Sequence, residues 1–179
     1  MLDYHFGRDT VTSTCERSAE PYLEGTQMGT NETEELEAIA RSIVDSNRYM
    51  TLATADEHGS PWAWPVWYAP VGYREFLWVS SPEARHSRNL AARAELAIVI
   101  FDSHQAGGWN ALYMVAVADE LSDVDEGIQI YSRHGEAQGL RAWTRDDVVH
   151  PARRRLYRAT ASEQFVLDPH DERLPVPSA

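Results

Sequence analysis

The residues best equipped for chemistry are a short basic run, Arg85-His86-Ser87-Arg88, which follows Ser80-Ser81-Pro82. Pro82 suits the first turn of a helix capped by Ser81, and on such a helix Arg85 and Arg88, three apart, point the same way. A guanidinium is a planar fork that matches two phosphate oxygens, and the free N–H groups of a helix N-terminus favour an anion. The chain carries a formal net charge of −12, so cations gathered here stand against the prevailing field. The run points to an anion site, most simply for a phosphate. On residue types alone, the same arginines also read as solvated helix residues pairing with Glu83 and Glu95.

Beside it lies an aromatic set. Trp62, Trp64, Trp67 and Tyr68 fall on one expected strand, Pro61–Ala69, where 62, 64 and 68 share a face and 67 takes the other. Most of these rings belong to a core or to an interface with a second copy. Trp109 and Trp143 read first as core, with closure of a pocket as the alternative.

Other chemistries find less support. Cys15 is the only cysteine, and the seven histidines show no metal-ligand spacing, so no metal site is expected. Ser87 or Ser132 could be drawn into a triad, but no nucleophile-elbow glycine pattern accompanies either. There is no Gly-rich phosphate loop. Arg153-Arg154-Arg155 reads as a basic run that either caps a strand end or neutralises Asp146 and Asp147. No side chain stands out as a catalytic acid or base. The acidic balance argues against nucleic acid and anionic lipid as partners. No stretch approaches the roughly 20 apolar residues of a membrane helix, and Met1–Arg8 offers no signal core, so a cytoplasmic protein is expected.

The elements that must position these residues are mostly short strands. Residues 1–30 form an arm without periodicity, and 169–179 a Pro-rich tail, which leaves 31–168 as the folded domain. Asn31, with Glu34 three residues on, is a candidate cap for a helix over 32–46, whose Leu36, Ile39, Ala40, Ile43 and Val44 form one apolar stripe. Strands are expected at Tyr49–Ala55, Pro61–Ala69, Glu75–Ser80, Leu96–Phe101, Ala111–Leu121 and Arg154–Leu167, with turns at Asp56–Ser60 and Pro70–Arg74. Helices are expected at Pro82–Arg93 and Asp123–His134, with a further one at Ala137–Trp143 and a short turn capped by Thr144. Hairpin-linked strands in this number favour a mainly β fold, a six-stranded, mostly antiparallel barrel with helices.

Three segments in order resemble the pyridoxamine 5′-phosphate oxidase-like family of split β-barrels. They are Met50-Thr51-Leu52-Ala53-Thr54 with its Asp56–Gly59 turn, Pro65-Val66-Trp67-Tyr68, and Leu77-Trp78-Val79-Ser80-Ser81 followed by Arg85-His86-Ser87-Arg88-Asn89-Leu90 and the strand ending at Asp102. The resemblance implies an FMN-binding flavoprotein that is a homodimer with sites built from both subunits, and an oxidoreductase acting on a small molecule. It places the flavin ring near Pro65, Val66 and Trp67, and the phosphate near Ser80, Arg85, His86 and Arg88. The family often has Lys where this chain has His86, an imidazole that titrates near 6.5 and is only partly charged at neutrality. One branch sharing the Arg-Asn-Leu segment uses a deazaflavin in place of FMN. A non-catalytic flavin- or haem-binding protein, or a barrel without flavin acting in specialised metabolism, is the alternative of a different class. Arg173-Leu174-Pro175 only partly matches the substrate-gripping end of the oxidase itself, and no Trp precedes it.

Overall fold

The structure, a computed structural model, describes residues 30–104 and 109–177. The expected arm lies outside the described residues apart from Thr30. In chain order the elements are α1 (Thr30–Ser46), β1 (Tyr49–Ala55), β2 (Pro61–Trp67), β3 (Ala69–Val71), β4 (Glu75–Ser80), α2 (Arg85–Ala92), β5 (Glu95–Phe101), β6 (Ala111–Glu120), α3 (Asp125–Ala137), β7 (Arg155–Leu167) and β8 (Arg173–Pro175), with a single 3-10 turn at Arg145–Asp147.

All eight strands join one sheet in the order β2-β1-β5-β6-β7-β4-β3, with β8 added on β7. Every pairing is antiparallel. The two ends of that order, β2 and β3, are neighbours in sequence with only Tyr68 between them. The sheet must therefore curl until its edges meet at that residue. The result is a mainly β, antiparallel split barrel with three helices.

Composition explains which strands are edges. Proline cannot donate to a ladder, and Pro61 and Pro65 lie on β2, Pro70 on β3 and Pro175 on β8. The interior strands instead carry alternating apolar residues: Met50, Leu52, Ile98, Ile100, Leu112 and Met114 are all buried and face one core. Leu36, Ala40, Ile43 and Val44 of α1 enter the same core, so the helix stripe closes it from one side. A second, smaller core lies under α3, where Ile128 and Tyr131 meet Ala69, Leu77 and Leu156.

Several expectations are corrected. Among the described residues there are eight strands, not six, because Pro61–Ala69 breaks at Tyr68, the supposed Pro70–Arg74 turn is half strand, and the tail supplies β8. Helix α1 already includes Asn31, so that residue is not its cap. Its C-terminal end matches the reading, since Ser46 Oγ donates to Ser42 O at 2.6 Å and Asn47 Nδ2 to Ile43 O at 2.8 Å. No helix forms over Ala137–Trp143; α3 runs to Ala137 and Gly139 turns away at φ +79°. Thr144 does cap its short turn, with Asp147 reciprocating. No helix among the described residues is long and apolar enough to cross a membrane.

The corner residue ties strand to helix. The Tyr68 hydroxyl donates to Val44 O at 2.7 Å and lies 3.3 Å from Asn47 O, at carbonyls of the α1 end. Burial pushes its ionisation far above the ordinary value of 10, so it remains a donor throughout the stable pH range. Tyr68→Phe leaves a buried carbonyl without its donor and should cost about 1–2 kcal/mol. Urea unfolding should show a lower midpoint at unchanged slope; an unchanged midpoint would mean that this bond does not hold the corner.

Candidate functional site

A groove of about 1040 Å³ opens between β2, the β4–α2 connection and the segment leading into β7. Because β2 is an edge strand, side chains from both of its faces reach this opening, and Trp62, Trp64, Pro65, Val66 and Trp67 all line it. Parity reasoning set Trp67 apart from Trp62 and Trp64; an edge strand is not confined to one face.

The rings are organised. Trp62 and Trp64 stack at 6.1 Å, and Trp64 stacks on the His86 ring at 6.3 Å. The Arg85 guanidinium lies 4.6 Å from the Trp62 ring centre and donates to Ser60 Oγ at 3.2 Å. Trp67 stands further along β2, edge-on to Tyr131 at 4.8 Å, with its indole N–H donating to Gln138 Oε1 at 3.1 Å. Helix α3 thus fixes Trp67 and helix α2 faces Trp62 and Trp64.

Helix α2 is set by a buried polar chain. Asn89 Nδ2 donates to Thr54 Oγ1 at 3.0 Å, and Thr54 Oγ1 donates to the Trp62 carbonyl at 3.3 Å. The helix begins at Arg85, later than the expected Pro82, because Ser81–Ala84 is spent on a turn in which Ser81 Oγ accepts from the Glu83 N–H at 3.2 Å. Arg85 and His86 therefore occupy its first turn.

Of the seven residues singled out from sequence, Pro65, Val66, Trp67, Ser80, Arg85 and His86 line the groove together. Arg88 does not; its guanidinium folds back onto the Glu83 carbonyl and holds the turn before α2. Arg85 and Arg88 thus share a helix but not a target. His86 is buried at 3% exposure, its Nε2 2.7 Å from Ser80 Oγ, and desolvation lowers its pKa below the ordinary 6.5. The groove wall is accordingly neutral at His86, and the permanent cations stand at the rim.

Arg153, Arg154 and Tyr131 also line the groove, and sequence reasoning missed all three. The basic run does not neutralise Asp146 and Asp147 as expected: Asp147 is held by Arg141 at 3.1 Å and by Thr144, while Arg155 pairs with Glu120 at 3.3 Å. The usable signal was three consecutive arginines in an acidic chain. Ser132, a formal triad candidate, is spent on structure, accepting from the Trp143 N–H at 2.9 Å. No cluster of metal-ligating side chains occurs among the described residues.

A model of the pyridoxamine 5′-phosphate oxidase family matches residues 36–168. The chain belongs to that family. Solved structures share the fold at low identity. A haem-binding protein from Mycobacterium smegmatis matches at 19% identity and TM-score 0.61, over 76% of this chain but only 55% of its own length. HutZ, a haem storage protein from Vibrio cholerae, matches at 21% and 0.58, over 76% and 99%. An F420 reductase matches at 16% and 0.53, over 69% and 94%. No curated protein matches in sequence.

The buried imidazoles set a pH response for this family member. His86, and His134 beside Trp67, both have pKa values lowered by desolvation, so the unfolded chain takes up protons first. Their contribution is full above the unfolded value near 6.5 and is lost as pH falls through it. Urea midpoints should drop between pH 8 and pH 5, and less so in His86→Gln, which keeps a polar partner for Ser80. Equal drops in both proteins would show that His86 does not contribute.

Proposed function

We propose that the groove holds FMN and that the protein is a flavin-dependent oxidoreductase acting on a small molecule. Pro65, Val66 and Trp67 would flank the isoalloxazine ring, while Ser80, Arg85 and His86 would receive the phosphate. The observation that carries this reading is the meeting, in one groove, of an aromatic wall with a hydroxyl, an imidazole and an arginine at one end. Such a donor set fits a planar ring bearing a phosphate. The flavin would supply hydride chemistry, and the chain's part is to bind, orient and shield. Arg85 is already held against Trp62 and Ser60, so little freedom is lost when it meets an anion. The F420 reductase neighbour supports a deazaflavin in the same place as the alternative cofactor.

A second reading draws on the two neighbours named for haem. His86 Nε2 is engaged with Ser80, so iron would have to displace that bond or be met by Nδ1. Protein purified without added cofactor should show a flavin spectrum; a haem band would select the second reading. Arg85→Ala should weaken FMN by about 2 kcal/mol, roughly thirty-fold, as one half of a charge-assisted pair is lost. Unchanged affinity in a calorimetric titration would remove Arg85 from the site.

The same reading includes a homodimer. On the outer face of the barrel Val115 and Val117 are 47% and 53% exposed, and Ala97, the β5 partner of Val115, is exposed beside them. Exposed apolar side chains on a sheet face, here bordered by Glu95 and Glu163, suit contact with a second copy. Sedimentation should give a dimer at micromolar concentration, and Val115→Lys with Val117→Lys should give monomer. A monomeric parent would rule out a shared site.

A further inference from the structure

The groove has a second cationic cluster, which the cofactor reading leaves unused. Arg85 stands by Trp62, whereas Arg154 lies 5.7 Å from the Trp143 ring centre, and Trp143 packs on Tyr131, which meets Trp67. Trp62 and Trp67 are five residues apart on one strand, on the order of 17 Å at the rise of extended chain. Arg85 therefore stands at the Trp62 end of β2, while Arg153 and Arg154 enter the groove from the chain just before Arg155, the β7 residue paired with Ser80, on the side of Trp143 and Tyr131.

Arg153 and Arg154 are exposed and line the groove, and among the described residues no carboxylate reaches ion-pair distance of either. In a chain of net charge −12, two such arginines side by side are unusual. Of the neighbouring cations, Arg155 pairs with Glu120, and Arg141 is bound to Asp147 while it stacks on Trp143 at 3.9 Å. Glu83 is the only carboxylate along the groove, against three arginines. A small molecule with an apolar or ring body and one anionic group would find both partners here, Tyr131, beside the flavin's place at Trp67, for the body and the arginine forks for the charge.

We infer that Arg153 and Arg154 form an anion subsite that selects an acidic small-molecule substrate, distinct from the place of the cofactor phosphate. The inference rests on the flavin reading for the word substrate, but the subsite itself does not need it. Carboxylate and phosphate share the chemistry of an oxyanion that accepts from guanidinium N–H groups.

The test titrates the full chain, with and without FMN, with phenyl phosphate, benzoate and neutral benzyl alcohol. Phenyl phosphate or benzoate should bind FMN-loaded protein at one site, at least tenfold tighter than benzyl alcohol, and the stronger of the two names the group. The double variant Arg153→Ala with Arg154→Ala should lose that binding tenfold or more while FMN affinity moves less than threefold. The corresponding double Lys variant should recover part of it, and unchanged thermal unfolding shows that the fold survives. Arg85→Ala should do the reverse, weakening FMN and sparing the acid probes. If the double Ala variant loses FMN instead, the arginines belong to the cofactor and the inference is overturned. It is equally overturned if the acid probes bind no better than benzyl alcohol. If no form binds FMN yet the acid probes still depend on Arg153 and Arg154, the cofactor reading fails and the subsite stands.

Discussion

The bond on which the rest depends is that of the Tyr68 hydroxyl to the Val44 carbonyl. Tyr68 is the single residue between the first and last strands of the sheet order, so whatever fixes it decides how far the sheet curls. A strand that simply continued through residue 69, as alternation suggested, would send its side chains to the wrong faces beyond the corner. Instead the chain steps from one edge of the sheet to the other, and the ring is buried against Phe76 at 5.7 Å. A buried hydroxyl without a partner would be costly, and the unpaired carbonyls at the α1 end supply one. Helix and barrel edge thereby satisfy each other.

The groove follows from that corner. Closing the barrel at Tyr68 leaves the rest of β2 as a free edge, and a free edge is where rings from both faces gather around one opening. It is also where a sheet is vulnerable to pairing with another chain; Pro61 and Pro65 blunt it. Pro65, one of the prolines that make β2 a safe edge, is thus also part of the groove lining. Asn89 and Thr54 then lock α2 against the opposite wall through the Trp62 carbonyl. That buried chain aligns the β1–β2 hairpin with the helix that carries Arg85.

Much of this was legible in the sequence, for particular reasons. β1, β4, β5, β6 and β7 stood out because apolar alternation is dense there, and the six expected residues that line the groove stood out because ordered short segments resembled a known family. Three kinds of information were hidden. A one-residue corner carries no composition signal, so Tyr68 read as strand. Arg88 sits at helical spacing from Arg85, yet its long side chain found a carbonyl nearer than the groove; spacing sets where a side chain starts, not where it ends. Arg153 and Arg154 lie about 70 residues beyond Arg85 in sequence and reach the groove only because β7 pairs with β4, placing Arg155 opposite Ser80.

The division of charge in the groove has its own physical logic. A permanent cation set into the wall would need a permanent partner, since an unpaired buried charge is costly. The wall here uses groups that can be neutral: indole rings, a serine hydroxyl, and an imidazole whose desolvation holds it uncharged. The guanidinium groups lie in the more exposed lining, Arg85 near Asp56 at 4.0 Å and Arg153 and Arg154 open to solvent, where little stability is forfeited. An incoming anion meets donors already oriented by stacking, Arg85 on Trp62 and Arg154 beside Trp143. If Arg85 is taken by a cofactor phosphate, Arg153 and Arg154 remain open to a second anion. Neutral rings and a desolvated imidazole in the wall, with arginines in the more exposed lining, follow from building the groove on an edge strand.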